Sequence, residues 1–340
     1  MHWSFPLIVF IGVFVASLVG TRLILKVLRD RAILDHPNER SSHSTPIPKG
    51  AGIAVIPCII AAWVLTAWGT PEAAVTQILI AAALILALLS WFDDLRELNP
   101  IFRLGGQVLA VAFVFLSADG VAFFREPFFG GLLPPGLDMV AAGLLWVWFI
   151  NLFNFMDGID GIAGVEAASI GVGIALVSVA AGLSDVFGTF GLAIAAASLG
   201  FLIWNWHPAK IFLGDIGSVP MGFMLGGLLL WLAANGQWAA ALILPLYYLA
   251  DSTITLLKRF VRGEKVWQAH RQHFYQQALA HGLSHDHVVR HVLFVDLVLI
   301  ALAIAAARGW VGAALISAPI LVLWLLVYLG IPLKTPPHEE

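Results

Sequence analysis

Long apolar runs separated by short polar segments occupy most of the chain. A membrane-spanning helix needs about 20 mostly apolar residues. The runs therefore predict about eleven transmembrane helices, at residues 5–27, 51–69, 73–91, 104–118, 137–152, 162–182, 186–204, 218–234, 238–257, 288–307 and 310–331. We expect an all-α polytopic membrane protein that forms a single domain over residues 1–340.

One of the predicted loops contains signals for turns and short strands. Residues 119–136 hold short apolar runs around a turn-forming centre, and Pro134-Pro135 ends the segment. Gly- and Pro-containing segments of this kind suit a small β-hairpin on the periplasmic side, and a plain loop suits them nearly as well.

Composition agrees with a chain that mostly meets lipid. Hydrophobic residues make up 60% of the sequence and charged residues only 11%, whereas soluble domains carry roughly 25% charged residues. The single cysteine, Cys58, excludes an intramolecular disulfide. The first apolar run continues into Arg22 and Lys26 without a cleavage site, which predicts a retained span instead of a signal peptide.

The distribution of basic residues predicts the orientation. With the N-terminus outside, the inner loops and helix ends hold fifteen of the eighteen Lys and Arg residues. Arg125 and Arg308 lie outside, and Arg22 lies within the first span. Because cytoplasmic loops carry the excess of Lys and Arg, this distribution predicts a multi-pass membrane protein with those loops in the cytoplasm.

Polar residues that a membrane span does not explain gather at the predicted cytoplasmic ends. Asp93 and Asp94 end the third span, where adjacent carboxylates are costly unless they face a cation or water. They could bind Mg²⁺ or act as a general base, or they could form a solvated helix end beside Arg96.

A second polar group follows the fifth span. Its side chains recur at three-residue spacing, which keeps them on one side of a helix end: Asn151, Asn154, Asp157 and Asp160. Two amides and two carboxylates suit a hydrated cation or a sugar nucleotide. A polar cap that joins two helices is the alternative.

Three further segments on the same side favour binding of an anion. Asp215 lies between Gly214 and Gly217 where the eighth span begins, and helix N-termini attract phosphate. Asp215 could hold a metal ion that bridges to a phosphate, or it could be an ordinary N-cap. Lys49 lies among hydroxyls and glycines in residues 40–52, which could contact phosphate or merely link two spans.

The third segment is the loop from 258 to 287. It concentrates basic residues and histidines: Lys258, Arg259, Arg262, Lys265, Arg271, His270, His273, His281, His285 and His287. Such a surface binds anionic ligands or inner-leaflet lipid. Carboxylates beside basic loops indicate a divalent cation bound with a polyanionic substrate, and phosphoryl transfer needs both.

These motifs, taken in order, resemble those of the polyprenyl-phosphate N-acetylhexosamine-1-phosphate transferases. That family includes bacterial enzymes that start O-antigen and teichoic-acid synthesis and the muramoyl-pentapeptide translocase. The resemblance runs from HPNERSSHSTPIPKGAG through DD, NLFNFMDGIDG and FLGDIGS to the last histidine-containing loop. It implies transfer of N-acetylhexosamine 1-phosphate from a UDP-sugar to undecaprenyl phosphate, with Mg²⁺ present, Mn²⁺ as a substitute, and UMP released.

The resemblance also implies roles for single residues. Asp93 and Asp94 match paired aspartates, one of which is proposed to deprotonate the lipid phosphate, and Asp94 is expected beside the metal. Asp215 matches a magnesium-binding aspartate, and Asp251 matches a recurring aspartate of uncertain role. The remaining expected site residues are the catalytic His270 and His273 and the substrate-binding Lys49, Asn151, Asn154, Asp157, Asp160, Arg259 and Arg262.

One position departs from the family pattern. Relatives often show HxHH in the last large loop, but this chain has Gln272 between His270 and His273. The departure points to a 6-deoxy or di-N-acetylated sugar, as in the O-antigen branch. The expected partners are the UDP-sugar, undecaprenyl phosphate and membrane lipids; a homodimer stays open, and no nucleic acid is expected.

The main alternative is a membrane transporter of an anionic solute. Transporters place polar sites near the bilayer midplane, and Asp251 and Asp296 are acidic residues well inside predicted spans. An intramembrane prenyltransferase is a second alternative, but DDLRE and DGIDG are not alike as Asp-rich repeats.

Overall fold

The computed structural model describes residues 4–35, 45–96, 98–117, 120, 124, 127–265 and 270–332. Over these residues the chain forms thirteen α-helices and one short sheet. The helices are α1 (Ser4–Asp30), α2 (Gly52–Ala67), α3 (Ala73–Arg96), α4 (Pro100–Leu116), α5 (Pro135–Phe155), α6 (Ile162–Ala181), α7 (Asp185–Asn205), α8 (Asp215–Leu232), α9 (Trp238–Ile243), α10 (Leu246–Val261), α11 (Phe274–Ala280), α12 (His285–Ala307) and α13 (Val311–Gly330). The strands are β1 (Leu34–Asp35) and β2 (Ile47–Pro48).

The helices confirm a polytopic membrane protein. In the described part of the chain, eight helical segments are long and apolar enough to cross a bilayer, and α2 and α4 are shorter apolar helices. The ninth predicted span, 238–257, is wrong as a continuous helix. The chain breaks into α9 and α10 at Pro245, because proline lacks the N–H that a helix interior requires.

The centre of the bundle is built from α6, α7 and α8, which are largely buried, whereas α1 and α13 lie at the periphery. Small residues let these helices approach closely, as is common inside membranes. A Cβ atom at Gly171 of α6 would collide with the carbonyl oxygen of Gly191 on α7. Gly200 of α7 likewise lies against the backbone of α1 at Phe14 and Leu18.

A small sheet ties the segment before α2 to the segment before α8. Strands β1 and β2 pair antiparallel, and Lys49 forms a parallel bridge with Phe212. The amide of Phe212 donates to the carbonyl of Pro48 (2.8 Å), and the amide of Gly52 donates to the carbonyl of Leu213 (3.0 Å). These bonds bring the predicted phosphate-binding segment beside the GDIGS motif.

The β-hairpin predicted for residues 119–136 is not observed in the described part of that loop. Residues 127–134 form turns that lead directly into α5, and positions 118, 119, 121–123, 125 and 126 lie outside the described residues. Asp138 on α5 accepts hydrogen bonds from the amides of Phe128 (2.8 Å) and Phe129 (3.2 Å). The amides of residues 128 and 129 are therefore bound by a side chain in the first turn of α5 and not by a neighbouring strand.

The orientation predicted from charge can be tested at two exposed arginines, Arg262 after α10 and Arg308 after α12. In a Cys58→Ser background, cysteine at position 308 is expected to react with an impermeant thiol reagent in intact cells. Cysteine at position 262 is expected to react only after permeabilisation. The reverse labelling pattern would contradict the orientation.

Candidate active site

Carboxylates from two distant helices meet around one lysine. Asp94 lies near the end of α3 and Asp215 is the first residue of α8. The Nζ atom of Lys49 lies 2.7 Å from Oδ1 of Asp94 and 3.5 Å from Oδ1 of Asp215. Three segments that are far apart in sequence thus form one charged cluster. Its carboxylates lie at the end of α3 and at the start of α8.

Asp94 also caps helix α8. Its carboxylate accepts hydrogen bonds from the amides of Asp215 (3.3 Å) and Ile216 (3.0 Å). The first amides of a helix have no partner within the helix and carry partial positive charge. Asp94 therefore gains two backbone donors in addition to Lys49, and this contact fixes the end of α3 against the start of α8.

Two glycines permit the close approach of α2 to α8. A Cβ atom on Gly52 would overlap the backbone of Gly217, and one on Gly217 would overlap the side chain of Leu213. The backbone at Gly214 has φ 76°, in the left-handed region that favours glycine. The glycines of the KGAG and GDIGS segments thus serve the contact that brings Lys49 to Asp94 and Asp215.

Arg103, at the start of α4, is a second cation in the cluster and was not among the predicted site residues. Its Nη1 lies 2.9 Å from Oδ2 of Asp93, and its Nη2 lies 3.6 Å from Oδ2 of Asp215. Nη2 also lies 3.5 Å from Oδ1 of Asn154. The available signal was its position, because a lone arginine at the end of an apolar span needs an anionic partner or water.

Asp93 points to different partners from those of Asp94. One of its carboxylate oxygens accepts from the amide of Leu98 (2.7 Å), and the other contacts Arg103. Its side chain is only 6% exposed. The two adjacent aspartates thus hold different cations: Asp93 holds Arg103, and Asp94 holds Lys49.

The Asn and Asp residues at the end of α5 and in the turn after it divide between two environments. Asn154 donates to Oγ of Ser218 on α8 (2.8 Å), and Asn151 donates to Gln107 on α4. Burial, together with the charges of Asp215 and Asp94, raises the pKa of Asp157 to about 7 despite the opposing charge of Lys49. Asn154 and Asp157 therefore belong to the charged cluster.

Burial and charge act in opposite directions on Lys49. Burial alone would lower the pKa of its ammonium group, but Asp215 and Asp94 raise the pKa well above the ordinary value for lysine. Lys49 therefore stays protonated throughout the physiological range. It is a permanent cation beside two carboxylates.

Asp160 has its own set of partners. Its Oδ2 lies 2.6 Å from Nδ1 of His207 and accepts from the amide of Ala209 (3.0 Å), while Oδ1 lies 3.4 Å from Nδ1 of His285. Burial favours a raised pKa for Asp160, but the hydrogen bonds from His285, Ala209 and His207 hold that pKa below its usual value. The next residue, Gly161, donates its amide to Asn205 (2.9 Å).

Asp251 organises the histidine-containing loop. Its fully buried carboxylate accepts from the amides of Phe274 (3.0 Å) and Tyr275 (3.3 Å) at the start of α11. Oδ1 also lies 3.1 Å from Nδ1 of His273, and the hydroxyl of Thr255 donates to it (3.3 Å). Asp251 therefore fixes the ring of His273, a role that its sequence position did not reveal.

The remainder of this loop is held by Glu264. Its carboxylate accepts from Nε of Arg259 (2.8 Å) and from Nε2 of Gln272 (2.9 Å). Burial and the neighbouring charges of His273 and Arg259 lower the pKa of His270 to about 4, so its ring is neutral at pH 7. Arg259 is buried and supports the loop, whereas Arg262 is exposed.

Tyr275 connects the histidine loop to the Asn and Asp motif. Its hydroxyl donates to the carbonyl of Phe155 (3.1 Å) and lies so close to Gly158 that a Cβ atom there would overlap it. The structure therefore brings the predicted residues of α3, α5, α8 and the last loop to one end of the bundle. Asp160 and Arg259 do not belong to the charged cluster: Asp160 contacts His207 and His285, and Arg259 contacts Glu264.

The donor set of the cluster fits a hard divalent cation. Asp94 and Asp215 offer carboxylate oxygens, and Asp157 is close enough to feel both charges. Mg²⁺ is bound by one or two carboxylates together with water and substrate phosphates. In the structure, the positive charges of Lys49 and Arg103 balance these carboxylates. Lysine and arginine side chains also bind phosphate.

Comparison with known proteins agrees with this geometry. Residues 76–233 match the model for glycosyl transferase family 4. The chain is 26% identical over 324 residues to a probable undecaprenyl-phosphate N-acetylglucosaminyl 1-phosphate transferase of Bacillus subtilis (strain 168), covering 92% of this chain and 89% of that protein.

Other relatives give the same result. A decaprenyl-phosphate N-acetylglucosaminephosphotransferase of Mycobacterium tuberculosis (strain CDC 1551 / Oshkosh) is 27% identical over 75% of this chain and 70% of that protein. A phospho-N-acetylmuramoyl-pentapeptide-transferase of Streptococcus suis (strain 05ZYH33) is 28% identical over 66% of this chain and 72% of that protein. The chain is thus similar to glycosyl transferase family 4 over residues 76–233, and to these transferases over 66–92% of its length.

The family 4 match covers the inner part of the site. The matched segment contains Asp93, Asp94, Arg103, Asn154 and Asp215. Lys49 and the histidine loop lie outside it, on either side. The charged cluster is therefore completed by the segment before α2, which lies outside the matched residues.

The glycine contact between α2 and α8 generates a prediction. Gly52→Ala is expected to destabilise the protein by about 1–3 kcal/mol through overpacking, because the new Cβ would press on Gly217. It should also lower the transferase rate by moving Lys49 away from Asp94 and Asp215. The measurements are the thermal unfolding midpoint in detergent and the rate of phosphosugar transfer.

Gly12→Ala is the matched control, since a Cβ atom on this α1 glycine meets nothing within 4 Å. That variant should match the wild type in both measurements. Equal behaviour of the two variants would contradict the assigned role of the Gly52 contact.

Proposed function

We propose that this protein transfers N-acetylhexosamine 1-phosphate from a UDP-sugar to undecaprenyl phosphate and releases UMP. The observation that carries the proposal is the cluster in which Lys49 and Arg103 balance Asp93, Asp94 and Asp215 at the ends of apolar helices. Oxygen ligands for a cation and basic groups for phosphates lie together there. Relatives that carry such transferase names cover most of the chain.

Mg²⁺ is the proposed cofactor, held by Asp94 and Asp215, and Mn²⁺ should substitute for it. When bound, such a cation neutralises charge on the diphosphate and on the leaving UMP. Lys49 and Arg103 are proposed to contact the diphosphate oxygens from two sides. The residues that bind cation and phosphate are thus the same groups that balance one another in the structure.

The acceptor phosphate is proposed to attack the donor directly. A phosphate monoester has a second pKa near 6, by analogy with phosphorylated side chains, so near neutral pH it is mostly a dianion and needs little help from a base. Asp93 is proposed to take the proton from the monoanion. Its contact with Arg103 (2.9 Å) also places that cation where the acceptor phosphate would meet it.

An apolar cavity supports a lipid acceptor. The cavity has a volume of about 320 Å³ and is lined by Trp146 and Phe149 of α5, Leu229 of α8, Leu242 of α9 and Leu249 of α10. Phe149 lies only two residues before Asn151 on the same helix. We place part of the polyprenyl chain in this cavity and its phosphate at the charged cluster.

The donor is proposed to bind between the Asn and Asp motif and the histidine loop. Asn151, Asn154 and Asp157 remain predicted nucleotide-side residues, and His270, His273 and Arg262 are the proposed contacts from the loop. Asp160 was also predicted there, but His207 and the amide of Ala209 hold its carboxylate. Arg259 is reassigned to loop support, because Glu264 and the carbonyl of Lys265 hold its guanidinium. The neutral ring of His270 suits hydrogen bonding better than ion pairing.

The proposed setting is the bacterial inner membrane with the active site facing the cytoplasm. The reaction would begin a lipid-linked glycan of the cell envelope, and Gln272 favours an O-antigen or related polysaccharide. Of the two acidic residues that favoured a transporter, Asp251 has a structural role instead, because it holds His273 and the start of α11; Asp296 is buried in α12. We therefore expect no solute flux in proteoliposomes.

The proposal is tested by incubating purified protein with undecaprenyl phosphate, Mg²⁺ and a panel of UDP-sugars. UMP release is expected with at least one UDP-N-acetylhexosamine, only when lipid phosphate and Mg²⁺ are both present. A lipid-linked sugar diphosphate should form in equal amount. Absence of UMP release across the panel would overturn the proposed reaction.

Asp215→Asn is expected to lower the rate of UMP release at least about 100-fold, since loss of one electrostatic contact to developing charge has effects of that order. Asp185→Asn is the matched control. Asp185 is likewise the first residue of a helix, but it lies at the opposite end of α7 from Asn205. The rate of Asp185→Asn should stay within about twofold of wild type. Similar losses of activity in both variants would show that Asp215 only stabilises the start of its helix.

A further inference from the structure

The cluster around Asp160 is separate from the one around Asp94 and Asp215. It contains Asp160 in the turn between α5 and α6, His207 in the turn after α7, and His285 at the first position of α12. One potential ligand atom from each residue lies within 4.8 Å of the other two. Three segments of the same end of the bundle converge on this point.

We infer that Asp160, His207 and His285 form a binding site for a divalent transition-metal ion of the zinc type. The ligand atoms are two imidazole nitrogens and one carboxylate oxygen. Imidazole nitrogen suits zinc and related metals, whereas magnesium and calcium prefer oxygen. The inference rests on these three side chains and does not depend on the proposed transferase activity.

One of the two spacings around Asp160 matches the inference, and the other is a hydrogen-bond distance that would have to lengthen when a metal binds. Zinc bonds of roughly 2.0–2.2 Å in tetrahedral geometry place ligand atoms about 3.3–3.5 Å apart. The carboxylate oxygens of Asp160 lie 2.6 Å from Nδ1 of His207 and 3.4 Å from Nδ1 of His285. Small side-chain rotations would therefore bring all three residues to bonding distance.

The position of the His285 ring also suits a ligand. The amide of Asp160 also lies 3.2 Å from Nδ1 of His285, so the backbone and the carboxylate of Asp160 both face this nitrogen. Metal-binding histidines use a neutral ring. The rings of His207 and His285 lie side by side with centroids 4.8 Å apart, which directs both Nδ1 atoms to the same carboxylate.

The surroundings leave one position open to solvent. Asp160 and His285 are largely buried, but 37% of the His207 side chain is exposed. The amide of Ala209 fixes the Asp160 carboxylate by a hydrogen bond (3.0 Å), which is the kind of outer contact that orients metal ligands. Three protein ligands and one water would complete a four-coordinate site.

A metal at this position would brace the turn that carries Asp157. Asp160 is three residues from Asp157, and the segment after His207 leads to Asp215. The ion would connect both segments to α12 without touching Lys49 or Asp94. Asp160, expected from the family resemblance to lie on the nucleotide side, acts in this proposal as a metal ligand.

The test is a zinc titration of the full-length protein in detergent, after treatment with chelator and in excess Mg²⁺ to fill oxygen-rich sites. The wild type is expected to bind one zinc ion per chain by equilibrium dialysis with elemental analysis. His207→Gln and His285→Gln should each weaken binding more than about tenfold, because glutamine can still bond to Asp160 but its amide is a poor zinc ligand.

Two control variants locate the ion. His291→Gln removes a histidine on the same α12 helix that stacks on Tyr328, and it should bind zinc like the wild type. Asp215→Asn should also retain zinc, which separates this site from the proposed magnesium site. Loss of zinc in Asp215→Asn with retention in both glutamine variants would overturn the inference.

X-ray absorption at the zinc edge of the wild-type protein gives a test that does not depend on folding of a variant. Two imidazole ligands with additional oxygen are expected. A shell of oxygen atoms alone, or no stoichiometric zinc in the wild type, would overturn the proposal.

Discussion

The site depends on one electrostatic constraint: carboxylates at the end of an apolar helix bundle must be matched by cations or backbone donors. Unpaired charges are costly at the edge of lipid, and removal of one partner of a buried pair leaves the other uncompensated. Asp94 satisfies the constraint most fully, with Lys49 on one side and the first amides of α8 on the other. Asp93 and Asp215 are matched by Arg103.

This charge balance explains why the surrounding backbone takes its form. The bridge between Lys49 and Phe212 and the glycine contact of Gly52 with Gly217 bring the segment before α2 to the start of α8. Without them Lys49 could not reach Asp94. The same arrangement suits a reaction in which a divalent cation and a diphosphate bind together. The cation would be balanced by the carboxylates of Asp94 and Asp215, and the diphosphate by Lys49 and Arg103.

Much of this organisation could be predicted from the sequence, because apolar runs about 20 residues long and clustered acidic motifs are local signals. The spans of α6 and α7 and the convergence of Asp94 with Asp215 were of this kind. The break at Pro245 was missed because the flanking residues are apolar on both sides, so hydropathy continues through it. The contact of Arg103 with Asp215, that of His285 with Asp160, and those of His273 and Phe274 with Asp251 join residues 22–125 positions apart, which no local pattern records.

The central claim is that Asp94 and Asp215 hold a divalent cation in a site that Lys49 otherwise balances. Electron paramagnetic resonance of Mn²⁺ titrated into the purified protein tests it most directly, with Mg²⁺ as competitor. The wild type should bind one Mn²⁺ that Mg²⁺ displaces, Asp94→Asn should lose that ion, and Lys49→Met should bind it more tightly because a competing positive charge is gone. Unchanged Mn²⁺ binding in Asp94→Asn, or weaker binding in a folded Lys49→Met protein, would contradict the account.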